Sequence, residues 1–189
     1  MKHILLASGG VDSTLIYFKK KEIIDDILYF DYGHRFKDKE LKVIKKLYGN
    51  KCKIVKIEDL KVSKNGFFYG RNLKFFITVR ELYPDEDIMV YFGHSADDNF
   101  SDNTRYFLYE VERVINHSYP NKTLRIITPL ENMTKKEIWK ELLSMNPPVL
   151  PWFCDYPYDE PCGKCHSCKA MKDAGIFDEY LAILRRNKQ

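Results

Sequence analysis

Two groups of residues in this chain of 189 have the types and spacing to do chemistry. Near the amino terminus, Ser8, Gly9, Gly10, Val11, Asp12 and Ser13 follow one another between an apolar stretch and a helical pattern. Glycines in a strand-to-helix turn let backbone N–H groups close on an anion, and the helix N-terminus adds partial positive charge. The Ser8 and Ser13 hydroxyls can donate to phosphate oxygens. Asp12 can cap the helix or hold a magnesium ion that offsets phosphate charge. A glycine-rich turn can also bind nothing, but the complete string between a strand and a helix reads as a phosphate site, and it has neither the Gly-x-x-x-x-Gly-Lys-Ser/Thr nor the Gly-x-Gly-x-x-Gly pattern. Near the other end, Cys154, Cys162, Cys165 and Cys168 stand as C-x7-C-x2-C-x2-C, with Gly163 after the second cysteine. Four soft thiolates suit tetrahedral Zn²⁺, and a site with no open position is structural. The spacing also admits an iron–sulfur cluster. His166, between two cysteines, reads as a bystander. A phosphate turn and a closed metal site in one small chain point to an ATP-consuming enzyme.

Those residues need a scaffold, and the length suffices for one domain with a proper core. Hydrophobic residues make up 44% and charged residues 31%, as in an ordinary globular protein. The net charge of +4 is the small excess of 31 basic over 27 acidic residues, spread along the chain, and does not by itself argue for a nucleic-acid footprint. No apolar run approaches the roughly 20 residues that span a membrane. The opening residues are too short an apolar run for a secretion signal, so a cytoplasmic, reducing setting is expected, where clustered cysteines favour metal over disulfides. Cys52 stands apart and reads as a small hydrophobe in or near the core.

Short apolar runs alternate with helical patterns. Strands are predicted at 3–7, 27–30, 53–57, 87–93 and 124–127, and helices at 12–21 and 36–48. Thr134, Lys135, Lys136 and Glu137 form a capping box that starts a helix running to about Ser144. The alternation predicts an α/β fold with a parallel sheet and helices on both faces. Pro147, Pro148 and Pro151 then stop regular structure, which puts a boundary between a body, 1–146, and a metal-tied tail, 147–189. Residues 63–70, with an Asn-Gly pair, read as a loop.

Ser8-Gly9-Gly10-Val11-Asp12-Ser13 resembles the PP-loop of the ATP pyrophosphatase superfamily, whose fold is Rossmann-like (adenine nucleotide alpha hydrolase-like). Further motifs, in order, resemble the 7-cyano-7-deazaguanine synthases, the QueC family. Ser8 to Thr14 matches Ser-Gly-Gly-x-Asp-Ser-Thr. Tyr32-Gly33-His34-Arg35 with Glu40 resembles Tyr-Gly-Gln-Arg-His…Glu. Gly70-Arg71-Asn72 with Phe75 and Phe76 resembles Pro-x-Arg-Asn…Phe-Leu. Gly93-His94-Ser95-Ala96-Asp97-Asp98 resembles Gly-x-Asn-Ala-x-Asp, and Thr128-Pro129-Leu130 with Thr134-Lys135-Lys136-Glu137-Ile138 matches Pro-Leu…Thr-Lys-x-Glu-Ile. Trp152-Phe153-Cys154 and the later cysteines resemble the family's zinc motif. His34 stands where the family has Gln, Phe68-Tyr69 where it has Val-Pro, and the turn over 99–105 is shorter than the family's.

The resemblance implies conversion of 7-carboxy-7-deazaguanine and ammonia to the nitrile, with ATP cleaved to AMP and pyrophosphate. It implies ATP phosphates on Ser8, Gly9, Gly10, Val11, Asp12 and Ser13, Mg²⁺ or pyrophosphate-side work for Asp98, and an anion anchor in Arg71. Asp12, Ser13, Arg71 and Asp98 are then the candidate catalytic residues. Phe75 and Phe76 default to the core. A structural Zn²⁺, a homodimer, no membrane and no direct nucleic-acid partner complete the expectation. Two other readings share some of these features. A related PP-loop enzyme would adenylate a different carboxylate or a tRNA base, and a zinc-ribbon nucleic-acid-binding module would explain the tail alone.

Overall fold

A computed structural model of the chain describes residues 1–58, 60–61, 68–98 and 100–187. The loop expected over 63–70 lies outside the described residues up to 67. Five strands, β1 (Lys2–Leu6), β2 (Asp26–Asp31), β3 (Cys52–Lys56), β4 (Ile88–Tyr91) and β5 (Leu124–Ile127), form one sheet in the order β3-β2-β1-β4-β5. Every pairing is parallel, so each neighbour is reached by a crossover. The crossovers reverse direction between β1 and β4, and ligands of such sheets bind at the carboxyl ends of the strands at that switch point.

Alternation within the strands sends side chains to two cores. Leu5, Ile27 and Tyr29 face α1 (Val11–Lys20), α2 (Lys37–Tyr48) and α5 (Lys135–Ser144). Ile4, Leu6, Leu28, Ile88 and Val90 face α3 (Arg71–Leu82) and α4 (Arg105–Ser118). Phe75 and Phe76 are core residues of this second layer, and Phe75 stacks on Phe30 at 4.5 Å. Thr134 and Glu137 make the capping box in full, and α5 runs to Ser144 as its pattern predicts.

Beyond the prolines the chain forms α6 (His166–Asp173) and α7 (Phe177–Arg186). Trp152, Cys154, Cys168, Met171, Phe177 and Tyr180 join the cluster that holds Leu5, Leu15 and Trp139. Residues on both sides of the boundary placed at 146 therefore share one apolar cluster. Cys52 is half-buried beside it, and burial pushes its thiol up to about 12, which leaves it protonated and unreactive at neutral pH.

Candidate functional site

β1 ends at Leu6, and the chain turns through Ser8, Gly9 and Gly10 into α1 at the switch point. Gly9 has φ +69°, and a Cβ there would meet the Glu40 carbonyl at 3.1 Å and Val43 at 3.3 Å. Only glycine satisfies both conditions. The turn is braced from within: Ser13 Oγ accepts from the Ser8 N–H at 3.2 Å and lies 3.2 Å from Ser8 Oγ, while the Gly10 N–H donates to Ser8 Oγ at 3.2 Å. Thr14 Oγ1 donates to the Gly10 carbonyl at 2.7 Å. The start of α1, at Val11, has no side-chain cap, so the helix N-terminus remains available to an anion.

Asp12 is oriented by contacts from two other parts of the fold. Past β4, Gly93 lets the chain pass so close that a Cβ would lie 3.0 Å from Asp12 Cβ. From the first turn of α5, Lys135 Nζ donates to Asp12 Oδ2 at 2.5 Å and stands 3.8 Å from Asp98 Oδ1. Burial works to lower the Lys135 pKa, but the carboxylates of Asp12 and Asp98 outweigh it and hold the ammonium protonated above its ordinary range. Asp98 is fixed by the Ser95 N–H at 2.9 Å and Asn103 Nδ2 at 3.0 Å, with His94 Nδ1 3.6 Å away. Its neighbour Asp97 accepts from the Lys135 N–H at 2.6 Å, adding an acceptor at the start of α5 that Thr134 and Glu137 cap, while Asp98 faces the site. Asp12 Oδ1 is buried without a partner among the described residues. Two converging carboxylates with an orphaned oxygen fit a hard divalent cation with oxygen ligands.

Arg71 opens α3 and stands apart from this group. Its guanidinium lies 5.8 Å from the Tyr32 ring and 5.9 Å from Phe75, and its Nε donates to Asn72 Oδ1 at 3.2 Å. Burial pushes the Tyr32 phenol up to about 12, although Arg71 pulls it down. Behind the glycine turn, Glu40 Oε2 is shared by His34 at 2.7 Å and the Tyr29 hydroxyl at 2.9 Å. Burial raises the Glu40 pKa and His34 offsets part of that rise.

Sequence reasoning quoted Lys135 and Asn72 inside motifs but gave neither a role in the site. Lys135 is legible in sequence only as part of a capping box; its contact with Asp12 spans 123 positions and has no local signal. Asn72 is almost fully buried and donates to the Asp102 carbonyl at 2.9 Å, which ties α3 to the short turn that carries Asn103.

The four cysteine sulfurs lie within 4.8 Å of one another, with Cys162–Cys168 and Cys165–Cys154 each at 3.9 Å. Tetrahedral Zn–S bonds of about 2.3 Å put sulfurs about 3.8 Å apart, close to the two 3.9 Å pairs, so the donor set and spacing fit a metal such as zinc. Backbone N–H groups of Lys164 and Cys165 point at Cys162 Sγ at 3.4 and 3.3 Å. Burial works to raise the Cys162 pKa, but those donors outweigh it and bring the thiol down to about 7. Gly163 makes the turn with φ +70°. His166 points out of the cage, its ring 4.6 Å from Phe100.

A parallel sheet with an uncapped glycine turn and a lysine–carboxylate network at its switch point defines an α/β protein of Rossmann-like fold. The chain belongs to the QueC family: the model of the queuosine biosynthesis protein QueC matches residues 2–67 and 53–180. Among similar proteins, the 7-cyano-7-deazaguanine synthase of Prochlorococcus marinus is 30% identical, over 94% of each chain. The enzyme of that name from Aliarcobacter butzleri is 27% identical over 89% of this chain and 88% of its own. A solved structure, the predicted subunit of a tRNA methyltransferase from Methanocaldococcus jannaschii, aligns with TM-score 0.47 and 17% identity over 76% of this chain and 75% of its own.

Proposed function

We propose that the protein is an ATP-dependent synthase that turns 7-carboxy-7-deazaguanine and ammonia into 7-cyano-7-deazaguanine (preQ0), releasing AMP and pyrophosphate. Membership of the QueC family supports the reaction. The observation that carries it to named atoms is the convergence of Asp12, Lys135 and Asp98 beside an uncapped glycine turn.

A carboxylate is a poor electrophile because its leaving group would be oxide. In this reading a carboxylate oxygen attacks the α-phosphorus of ATP and pyrophosphate leaves. Ammonia then displaces AMP from the acyl carbon to give the amide. A second adenylation, on the amide oxygen, lets AMP depart as the C–N triple bond forms, the two amide protons passing to solvent. The protein contributes positioning and charge neutralisation. Backbone N–H groups and the Ser8 and Ser13 hydroxyls bind phosphate oxygens, Lys135 supplies a fixed cation, and Arg71 anchors an anionic group on the β2 side. Asp12 and Asp98 would hold Mg²⁺, which supplies further positive charge to the phosphates. Zn²⁺ in the thiolate cage is structural, because four protein ligands leave no open position. A homodimer and a cytoplasmic setting belong to the same proposal; among the described residues no helix is long and apolar enough to cross a membrane.

The short turn at 100–105, fastened to Asp98 through Asn103, favours as second reading a relative that adenylates another carboxylate. Mass spectrometry of 7-carboxy-7-deazaguanine incubated with protein, ATP, Mg²⁺ and ammonia separates the two. The nitrile, with AMP and pyrophosphate, is the expected result. ADP and phosphate as products would remove the PP-loop assignment, and ATP binding without nitrile formation would leave the second reading.

A further inference from the structure

Between the glycine turn and the cysteine cage lies a cavity of about 170 Å³, lined on one side by Asp12, Asp98 and Lys135 and elsewhere by Phe100, Phe153 and His166. Pockets that take drug-sized ligands run from roughly 300 to 1,000 Å³, so this one suits a small bicycle rather than a whole nucleotide. Its wall is aromatic and its inner end is charged.

Two rings of the wall keep part of their surface exposed although neighbouring rings hold them. Phe100 leaves 39% of its surface exposed, yet its ring is held 4.6 Å from the His166 ring, which belongs to α6. Phe153 is only half-buried, although Tyr180 and Phe177 brace it edge-on at 4.7 and 6.3 Å. Rigid, partly exposed rings facing a cavity are surfaces for a planar ligand. α6 is fixed by the cage itself, since Cys165 Sγ accepts from the Cys168 N–H at 3.4 Å at its N-terminus.

We infer that the metal-tied tail supplies the specificity wall of the acid-binding site. The ligand is a flat heteroaromatic carboxylic acid whose ring lies against Phe100, His166 and Phe153, with its carboxylate at the Lys135 end next to the glycine turn. The inference rests on the adenylating reading above and deepens it: the cage sets the position of a substrate-contacting helix as well as holding the fold.

His166→Ala and Phe100→Ala test it, because both side chains are exposed enough to be removed without emptying the core. Calorimetric titration with 7-carboxy-7-deazaguanine, in the presence of a non-hydrolysable ATP analogue, should show affinity reduced at least about tenfold in each variant. Affinity for the ATP analogue should change less than about twofold, and KM for the acid should rise far more than kcat falls. Unchanged acid binding in both variants, with wild-type protein forming the nitrile, overturns the inference while the proposed reaction stands. Weakened ATP binding with unchanged acid binding also overturns it and gives the wall to the nucleotide base. Wild-type protein that neither binds nor converts the acid overturns the proposed reaction and this inference together.

Discussion

At the scale of single residues, the site is organised by groups that hold one another. Lys135 Nζ lies 2.5 Å from Asp12 Oδ2 and 3.8 Å from Asp98 Oδ1, so one ammonium links the two carboxyl groups in a partly buried place. Asp12→Ala should reduce turnover by about 10²-fold or more, while circular dichroism and metal content stay as in the wild type. Arg71→Ala should instead raise the ATP concentration needed for half-maximal rate, because Arg71 lies beside Tyr32, away from both the Asp12 group and the acid-binding cavity, where its anion is a phosphate. Steady-state kinetics of the two variants checks both; wild-type kinetics in Arg71→Ala would free that residue of any substrate role. The glycine turn and the cysteines were legible in sequence because their function demands residue types at short spacing. Lys135 and Asn72 were not, because their roles depend on partners 123 and 30 positions away. Asp98 was legible as a candidate, but only the fold separates it from Asp97.

At the scale of elements, all five strands and α1, α2 and α5 were legible, since each is a bounded apolar run or carries its own start signal. β4 is shorter than the 87–93 run, because Gly93 already turns towards Asp12. α3 and α4 went unread. Their solvent faces carry apolar residues, Leu73 and Ile77 on one and Tyr106, Tyr109 and Val114 on the other, which blur the helical period. α6 buries only Cys168 and Met171, too few to give a pattern. The start of β2 carries an electrostatic device of its own. Burial tends to raise the Asp26 pKa, but Lys53 at 2.8 Å, the Tyr83 hydroxyl at 2.8 Å and Lys2 at 3.2 Å outweigh it and hold the carboxyl below its ordinary 3.8. The unfolded chain therefore binds this proton more readily than the folded one. The resulting stability is present above pH 3.8 and is lost as pH falls below it towards the lower folded value. Denaturant unfolding at successive pH values should show a shallower acid loss in Asp26→Asn than in the wild type. An unchanged slope would mean that Asp26 is not the group that responds.

At the scale of the whole molecule, the segment beyond the prolines is tied to the glycine turn, to α5 and to itself. The Trp152 N–H donates to the Gly9 carbonyl at 2.9 Å, the Tyr180 hydroxyl to the Pro151 carbonyl at 2.9 Å, and Trp139 Nε1 to Glu179 at 2.8 Å. With Cys154 and Cys168 in the same cluster as Leu5 and Trp139, the metal cage is part of the main core. Chelation or Cys165→Ala should lower the melting temperature of the entire chain by more than about 10 °C, in a single transition. Two transitions, with the first confined to the tail, would show that the tail melts independently. The Trp152–Gly9 bond also bears on how the protein is made. The glycine turn proposed to receive phosphate is pinned at its backbone by a residue translated some 140 positions later. A nascent chain can lay down β1, β2 and β3 in order, but the brace on its glycine turn is missing until the segment that carries Trp152 and the cysteines emerges. On the proposed reading, zinc supply during synthesis sets the fraction of new chains whose glycine turn is braced for ATP.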